Sequence, residues 1–258
     1  MFSSKFFAAA LSVIIISILA GCNKNEVISP NNPSSPKKVL SKLIQDSNNY
    51  SDFSYVNGKV AKYENVYNSQ ISYSATFDYD NEGRPQTGYF NLPYNDDQMK
   101  KYFYDSSSRL DSMQFFIKDS NSIYVPMGTV IIFYNSAGEL IKWQQINIPN
   151  KLIMTFEYEY DVNGNVIDTK AYDANGLYSE TVMSYDNKIN PLPYTDGEVP
   201  ISKNNEITGS YSEPRNPEQN YSFKYTYTYD KDGYPLTETY FYTQGSVKDT
   251  VAQTYQYQ

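Results

Sequence analysis

One short unit recurs along this 258-residue chain and constrains its fold more than any other feature. A tyrosine that closes a strand-like segment is followed by Asp or Asn, two further residues and Gly, and then another strand-like segment begins. The Asp or Asn and the Gly of the five full copies are Asp80 and Gly83, Asn135 and Gly138, Asp161 and Gly164, Asp173 and Gly176, and Asp230 and Gly233. Degenerate copies begin at Tyr104-Asp105, where Ser108 replaces the glycine, and at Tyr185-Asp186. Internal repetition of this kind describes the whole architecture rather than one site.

The unit has two interpretations, a tight turn or a calcium-binding loop. In a type I turn, Asp or Asn at the first position caps backbone amides, and Gly is favoured at the fourth position. A calcium loop of the helix-flanked type needs oxygen ligands at alternate positions, Gly at the sixth and Glu at the twelfth. Here Gly stands fourth, between strand-like segments, so the spacing favours a turn. Calcium bound adventitiously at stacked turns stays open as the minority alternative.

The segments between the turns show the two-residue period of strands. From Phe223 to Tyr229 aromatic and polar residues alternate strictly, and Phe156 to Tyr160 does the same. Asn57-Gly58 and Asp196-Gly197 add two turn signals. Residues 39–45 fit a short helix or a first strand, of which we favour the strand. We therefore predict an all-β protein, an antiparallel meander of repeated hairpins that forms a curved sheet or a partly open barrel.

Composition narrows the chemistry of the chain. It has 28 Tyr and 13 Phe, which suit half-buried pleated surfaces, and a net charge of −8, which disfavours nucleic acid as a partner. It has no His, the commonest general base and metal ligand, and its single cysteine, Cys22, excludes internal disulfides. We expect no metal and no cofactor.

The first residues have the layout of a secretory signal, with Lys5 followed by an apolar run from Phe6 to Ala20. The run ends in Leu19-Ala20-Gly21-Cys22, which resembles the lipobox of bacterial lipoproteins. That resemblance implies cleavage before Cys22, acylation of its sulfur, and a membrane partner through the lipid. We predict a signal peptide over 1–21, a lipidated tether rich in Asn, Pro and Ser over 22–38, and a β domain over 39–258. The implied location is the outer membrane. The sequence does not decide between its periplasmic face and its surface-exposed face.

The repeat also carries a family resemblance. The Tyr-Asp-x-x-Gly punctuation resembles the YD-repeat proteins, a class that includes Rhs-type shells. Tyr185-Asp186-Asn187-Lys188-Ile189-Asn190-Pro191, Ser202-Lys203-Asn204-Asn205 and the segment from Tyr225 to Pro235 look like the C-terminal half of small lipoproteins of gut Gram-negative anaerobes. Those lipoproteins carry a domain of unknown function described as porin-like. The resemblance implies a fold and a cellular location, and it identifies no catalytic residues.

Candidate sites are few. Glu157 and Glu159 alternate with aromatics on the polar face of a strand, and Asp96-Asp97 stands in a turn-like segment, so neither pair predicts an enzyme. Trp143, the single tryptophan, has two interpretations: a stacking platform for a sugar ring, or a strand aromatic packed in the sheet.

The sequence thus predicts a non-enzymatic, lipid-anchored binding or structural protein of the cell envelope, with a glycan as a possible ligand. The alternative is a periplasmic carrier whose curved sheet encloses a lipid or other hydrophobic ligand. A concave face rich in aliphatic side chains would favour the carrier, and one of tyrosine with Asn or Gln would favour the glycan.

Overall fold

The computed structural model describes residues 38–92, 97–192 and 202–258. Apart from the short 3-10 helix Pro217–Gln219, the regular elements of these ranges are β-strands. In chain order they are β1 Leu40–Ile44, β2 Tyr50–Val56, β3 Lys59–Tyr67, β4 Gln70–Tyr79, β5 Pro85–Asn91, β6 Gln98–Tyr104, β7 Leu110–Lys118, β8 Tyr124–Tyr134, β9 Leu140–Asn147, β10 Lys151–Tyr160, β11 Val166–Asp173, β12 Gly176–Ile189, β13 Asn204–Ser212, β14 Tyr221–Tyr229, β15 Pro235–Gln244 and β16 Val247–Tyr257. No helix in the described ranges is long and apolar enough to cross a membrane.

The sheet is a meander that closes on itself. Each strand pairs antiparallel with the next in sequence, and β1 pairs with β16, where Leu43 lies opposite Tyr255. The predicted all-β antiparallel meander of hairpins is confirmed, and residues 40–44 form a strand. The structure also decides what the sequence left open, because pairing of the first and last strands makes the barrel closed and removes both sheet edges.

The two faces of the sheet differ sharply. Along β14 the aromatic residues are partly buried, while Ser222, Lys224, Thr226 and Thr228 between them are exposed. In the described residues the strands form a single layer, so the buried face is the interior. The two-residue alternation read from the sequence therefore sends aromatic side chains inward and polar ones outward.

The two ends of the barrel also differ. At one, here named the turn end, the even-numbered strands stop and the odd-numbered strands begin, and the chain enters at β1 and leaves at β16. Four of the five full copies of the repeat form turns at this end, as does the degenerate copy at Asp105. The fifth full copy, Asp173 to Gly176, lies at the opposite end, here named the loop end. One strand separates Asp161 from Asp173, so these two copies must fall at opposite ends.

The copies of the repeat at the turn end share one hydrogen-bond pattern, which Asp161 illustrates. Its Oδ1 accepts hydrogen bonds from the amides of Asn163 and Asn165, and its Oδ2 accepts one from the Asn165 side chain. The Gly164 amide donates to the Asp161 carbonyl, and Gly164 has a φ of 81°. Since this left-handed conformation strains side chains that carry a Cβ, glycine recurs there.

The degenerate copy follows the same geometry, since Ser108 takes the place of glycine with a φ of 62°. Asp119 to Ser122, at the loop end, forms the same turn although Lys118 replaces the tyrosine, so the sequence pattern does not predict it. Asp173 differs, because Asp173 and Gly176 pair directly and enclose a two-residue turn. Asp196-Gly197 lies outside the described residues.

A ring of tyrosine hydroxyls ties neighbouring strands together at the turn end. Each even-numbered strand carries a tyrosine near this end, and seven of these donate a hydrogen bond to a backbone carbonyl at the start of the preceding odd-numbered strand. The pairs are Tyr55 to Leu40, Tyr79 to Val60, Tyr104 to Pro85, Tyr134 to Leu110, Tyr160 to Leu140, Tyr185 to Val166 and Tyr257 to Pro235. On β14, Tyr229 donates to the Asp186 carboxylate instead. The repeated tyrosine thus has a structural reason, because a buried phenol needs a partner.

Candidate functional site

The barrel interior is packed most tightly at the turn end and opens towards the loop end. The inward side chains at the start of the odd-numbered strands, such as Leu40, Val60 and Leu110, are buried. At the other end of the interior, Val247 and Asp249 of β16 are exposed although they face inward. A ligand would therefore enter from the loop end.

Two regions of the interior have different chemistry. On β6 to β11, aliphatic side chains including Met113, Val130 and Ile132 form a buried cluster with Tyr102, Trp143 and Tyr158. On β13 to β16 the inward face is a set of aromatic residues, here named the tyrosine wall: Tyr211, Tyr221, Phe223, Tyr225, Tyr227, Tyr229, Tyr240, Tyr242 and Tyr255.

The rings of the tyrosine wall contact one another from strand to strand. Tyr221 stacks on Tyr211 with centroids 5.0 Å apart and lies 5.1 Å from Tyr242, while Tyr225 lies 4.9 Å from Tyr240. The inward residues of β14 keep partial exposure, and their rings contact one another along the strand. Burial raises the pKa of Tyr221 to about 12, so its hydroxyl stays protonated at neutral pH and can donate a hydrogen bond.

Two glutamates face the interior within the tyrosine wall. Glu238 lies opposite Tyr227 of β14 and Gln253 of β16, and it accepts a hydrogen bond from the Tyr255 hydroxyl. Glu206 lies opposite Tyr185, because a bulge at residue 207 of β13 turns its side chain inward. Burial, with a smaller contribution from the charge of Glu238, raises the pKa of Glu206 to about 8. Burial also raises the pKa of Glu238.

Three polar atoms in this part of the interior are buried without a hydrogen-bond partner among the described residues. They are Oε1 of Glu206, Oε1 of Gln253 and the hydroxyl of Tyr240. Buried polar groups in proteins are nearly always paired, so a group of three orphans in one place needs an explanation. We name Glu206, Glu238, Tyr240 and Gln253 the acidic pocket.

A second cavity, of about 450 Å³, lies at the turn end between the turns of Asp80 and Asp105. Its charged groups already pair with one another. Arg84 binds Asp80 and Glu82 and covers the ring of Tyr104 at 4.4 Å. The ion pairs lie within the β4–β5 turn and the contact with Tyr104 reaches the next hairpin, so these contacts explain the cluster without a ligand.

Trp143 is buried in the aliphatic region, with 7% of its surface exposed. Its ring stacks on Phe156 at 4.3 Å, and its Nε1 donates to the Tyr158 hydroxyl at 2.7 Å. This geometry favours the second interpretation of Trp143, a packed strand aromatic, because little of the ring is left for a sugar.

The carboxylates singled out in the sequence lie away from the interior. Glu157 faces Lys142 and Glu159 faces Lys170 on the outer surface. Asp97 pairs with Lys118, and Asp96 lies outside the described residues. The turn carboxylates are occupied by backbone amides and basic side chains; Arg215, for example, holds the pKa of Asp173 at about 2. In the described parts of the chain, acidic residues and cysteine form no group of three or more suited to a metal ion.

Sequence reasoning missed both glutamates of the acidic pocket. A signal existed for Glu238, because it stands two residues before Tyr240 and so shares its face. For Glu206 the alternation misleads: counting back in twos from Tyr211 puts Ile207 inside and Glu206 outside, and the bulge reverses this. Cys22 lies outside the described residues.

In the described residues these features define a closed 16-stranded antiparallel β-barrel whose interior holds an aliphatic region, the tyrosine wall and the acidic pocket. Among solved structures the chain is similar to a porin-like protein from Bacteroides uniformis, with a TM-score of 0.57, 11% identity, and coverage of 88% of this chain and 99% of that one. A porin-like protein from Bacteroides vulgatus gives a TM-score of 0.49 and 9% identity, with coverage of 86% and 99%. At such identity the likeness establishes the porin-like β fold alone. No family model and no curated protein matches the chain, so the YD-repeat resemblance stays a prediction.

Proposed function

We propose that this chain is a lipid-anchored, non-enzymatic protein of the outer membrane or cell envelope that binds a glycan inside its barrel. The observation that carries the proposal is the tyrosine wall. Sugar rings pack their C–H faces on aromatic rings, and phenol and amide groups exchange hydrogen bonds with sugar hydroxyls. The tyrosine wall offers both along one continuous surface.

The same observation disfavours the lipid-carrier alternative. An acyl chain needs accessible aliphatic surface, whereas Met113 and Val130 are fully buried among their neighbours. Tyrosines such as Tyr221 and Tyr225 keep partial exposure on the inward face. By the criterion set from the sequence, tyrosine with Gln253 favours a glycan.

The outer surface supports a barrel that stands in water rather than in lipid. A Lys or Arg on the lipid face of a membrane barrel costs roughly 2–4 kcal/mol at the bilayer midplane. Here Lys62 and Glu64 face outward from β3, and Lys170 in the middle of β11 lies within 3.4 Å of Glu180. Where aromatic rings face outward, a lysine can cover them, as Lys142 covers Phe133 at 5.7 Å. Membrane attachment would then fall to the acylated Cys22.

The start of the described chain gives this attachment a direction. Lys38, the last residue of the predicted tether, pairs with Asp230 and Asp232 and lies 5.6 Å above the ring of Tyr234. These residues belong to the turn end. A tether that leaves from there turns the tightly packed end towards the membrane and points the loop end, where the interior opens, away from it.

The experiment is a glycan and lipid array probed with the purified full-length chain. We expect binding to saccharides and none to free acyl chains. Tyr221→Ala should weaken saccharide binding up to about tenfold, since an aromatic contact contributes ≈0.5–1.5 kcal/mol beyond its area. Tyr89→Ala, which removes an exposed tyrosine from the outer face, is the matched control and should bind as the wild type does. Binding of acyl chains alone would support the carrier, and a bound saccharide that is cleaved on incubation would contradict the absence of enzymatic activity.

A further inference from the structure

Two of the three unpaired atoms of the acidic pocket are oxygens of Glu206 and Gln253, and the third is the Tyr240 hydroxyl, which can donate or accept. The orphaned atoms of Glu206 and Gln253 are oxygens that accept, and the Glu238 carboxylate receives a hydrogen bond only from Tyr255 among the described residues. The basic residues of these strands, Lys224 on β14 and Lys248 on β16, lie on the outer face. A partner that brings N–H or O–H donors would satisfy the oxygens of Glu206 and Gln253, and the Tyr240 hydroxyl can pair with either a donor or an acceptor.

The pocket also brings two ionisable carboxyl groups together among aromatic faces. Glu206 and Glu238 stand on β13 and β15, on either side of β14, which separates their backbones by about 10 Å at the usual strand spacing. Tyr225 of β14 lies between them, and its pKa is raised by burial and further by the charges of both glutamates. Aromatic faces beside carboxylates are the surroundings in which proteins bind organic cations.

An acid pair of this kind is unfavourable for the fold alone. Two buried carboxylates repel each other, and removing their charge would relieve the barrel of that cost. Buried groups that carry such a penalty are candidates for function. A metal ion fits less well, because the described residues provide two carboxylates here and no third acidic ligand.

We propose that the acidic pocket binds a positively charged amino group of the ligand, so that the preferred glycan is one with free amino groups. A primary ammonium has three N–H donors, which match the free acceptors of Glu206, Glu238 and Gln253. The tyrosine wall supplies the faces on which the rest of the ligand packs. This inference rests on the proposed function, because it names the chemical class of glycan that the same interior takes.

The test measures binding by isothermal titration calorimetry on the full-length chain at constant ionic strength. The probes are a glucosamine oligomer, the N-acetylated oligomer of the same length, and spermidine as an amine without a sugar. We expect the glucosamine oligomer to bind at least about tenfold more tightly than the acetylated one, because one hydrogen bond between charged groups raises affinity by about that factor or more. In Glu206→Gln/Glu238→Gln the two oligomers should bind equally. Glu157→Gln, on the outer face, is the matched control and should keep the preference.

The outcomes separate the two proposals. Equal binding of both oligomers by the wild type, or a preference that survives in the double variant, overturns the inference and leaves the glycan function standing. Binding of spermidine that the double variant abolishes, without binding of either oligomer, supports the amine site and overturns the glycan function. Binding of none of the three probes overturns both.

Discussion

Replacing Glu206 by glutamine should stabilise the barrel, and by an amount that grows with pH. The pKa of this side chain rises from its ordinary value of 4.5 to about 8 because the fold buries it beside Glu238. At about 1.4 kcal/mol per pKa unit, ionising Glu206 in the folded chain costs roughly 3–5 kcal/mol. Glutamine keeps the shape and avoids the charge.

The sign follows from the protons bound in each state. Below pH 4.5 Glu206 is protonated in both states, and the wild type carries no penalty. Between pH 4.5 and 8 the folded chain holds a proton that the unfolded chain has lost, so the free energy of unfolding decreases as the pH rises. Above pH 8 both states have lost the proton, and Glu206 lowers the free energy of unfolding no further. The advantage of Glu206→Gln should therefore be near zero at pH 4.5 and reach the full few kcal/mol at pH 8.5.

Urea unfolding of the full-length chain, followed by tyrosine and tryptophan fluorescence at pH 5, 6.5 and 8.5, measures this difference. Glu180→Gln is the matched control, because Glu180 faces outward and pairs with Lys170. An exposed pair contributes only about 0–1 kcal/mol, so its removal should change stability little at any of these pH values. A Glu206→Gln protein that is less stable than the wild type at pH 8.5, or whose advantage does not change with pH, would refute the reasoning.

Three further predictions concern the anchor and the turns. Cys22→Ser should abolish palmitate labelling and move the protein to the soluble fraction; labelled mutant protein in the membrane fraction would disprove the lipobox assignment. Gly164→Val and Gly233→Val should each lower the free energy of unfolding by up to roughly 3 kcal/mol, more than Asp161→Ala does, because β-branched residues are strained at φ values of 81° and 87°. Full tolerance of valine at both glycines in urea unfolding would contradict the turn geometry. Calcium at millimolar concentration should leave the melting temperature where magnesium at equal ionic strength leaves it, whereas a specific site at hundredfold excess would add about 2.7 kcal/mol, a shift of several degrees.

Much of the local structure could be predicted from the sequence, because short-range chemistry decides it. Asp or Asn followed three residues later by glycine forms the same capped turn at Asp80, Asn135 and Asp230. The sequence pattern does not capture every such turn, since Ser122 completes an identical turn at the loop end without the tyrosine and glycine of the repeat. Alternation of tyrosine and polar residues along β14 correctly gave the strand and its two faces.

The candidate site was beyond the sequence because its members come from separate strands. The aromatic residues could be counted, but the concentration of open tyrosine surface on β13 to β16, and of sealed aliphatic packing on β6 to β11, depends on which strands are neighbours. Trp143 was a candidate because it is the single tryptophan, yet it packs in the aliphatic region on β6 to β11. The sequence pattern did not mark Glu206 as a candidate, although it lies in the acidic pocket.

By itself the sequence determined the period of two, the chemistry of the turns and hence an antiparallel meander, since each depends on residues within a few positions of one another. Only the tertiary structure decided that the meander closes, because closure is a pairing of β1 with β16 across more than 200 residues. It also decided that Glu206 faces inward, because a single-residue bulge reverses the face of a strand and depends on the partner strand. Alternation along a chain is local, whereas register and closure are set by what lies alongside.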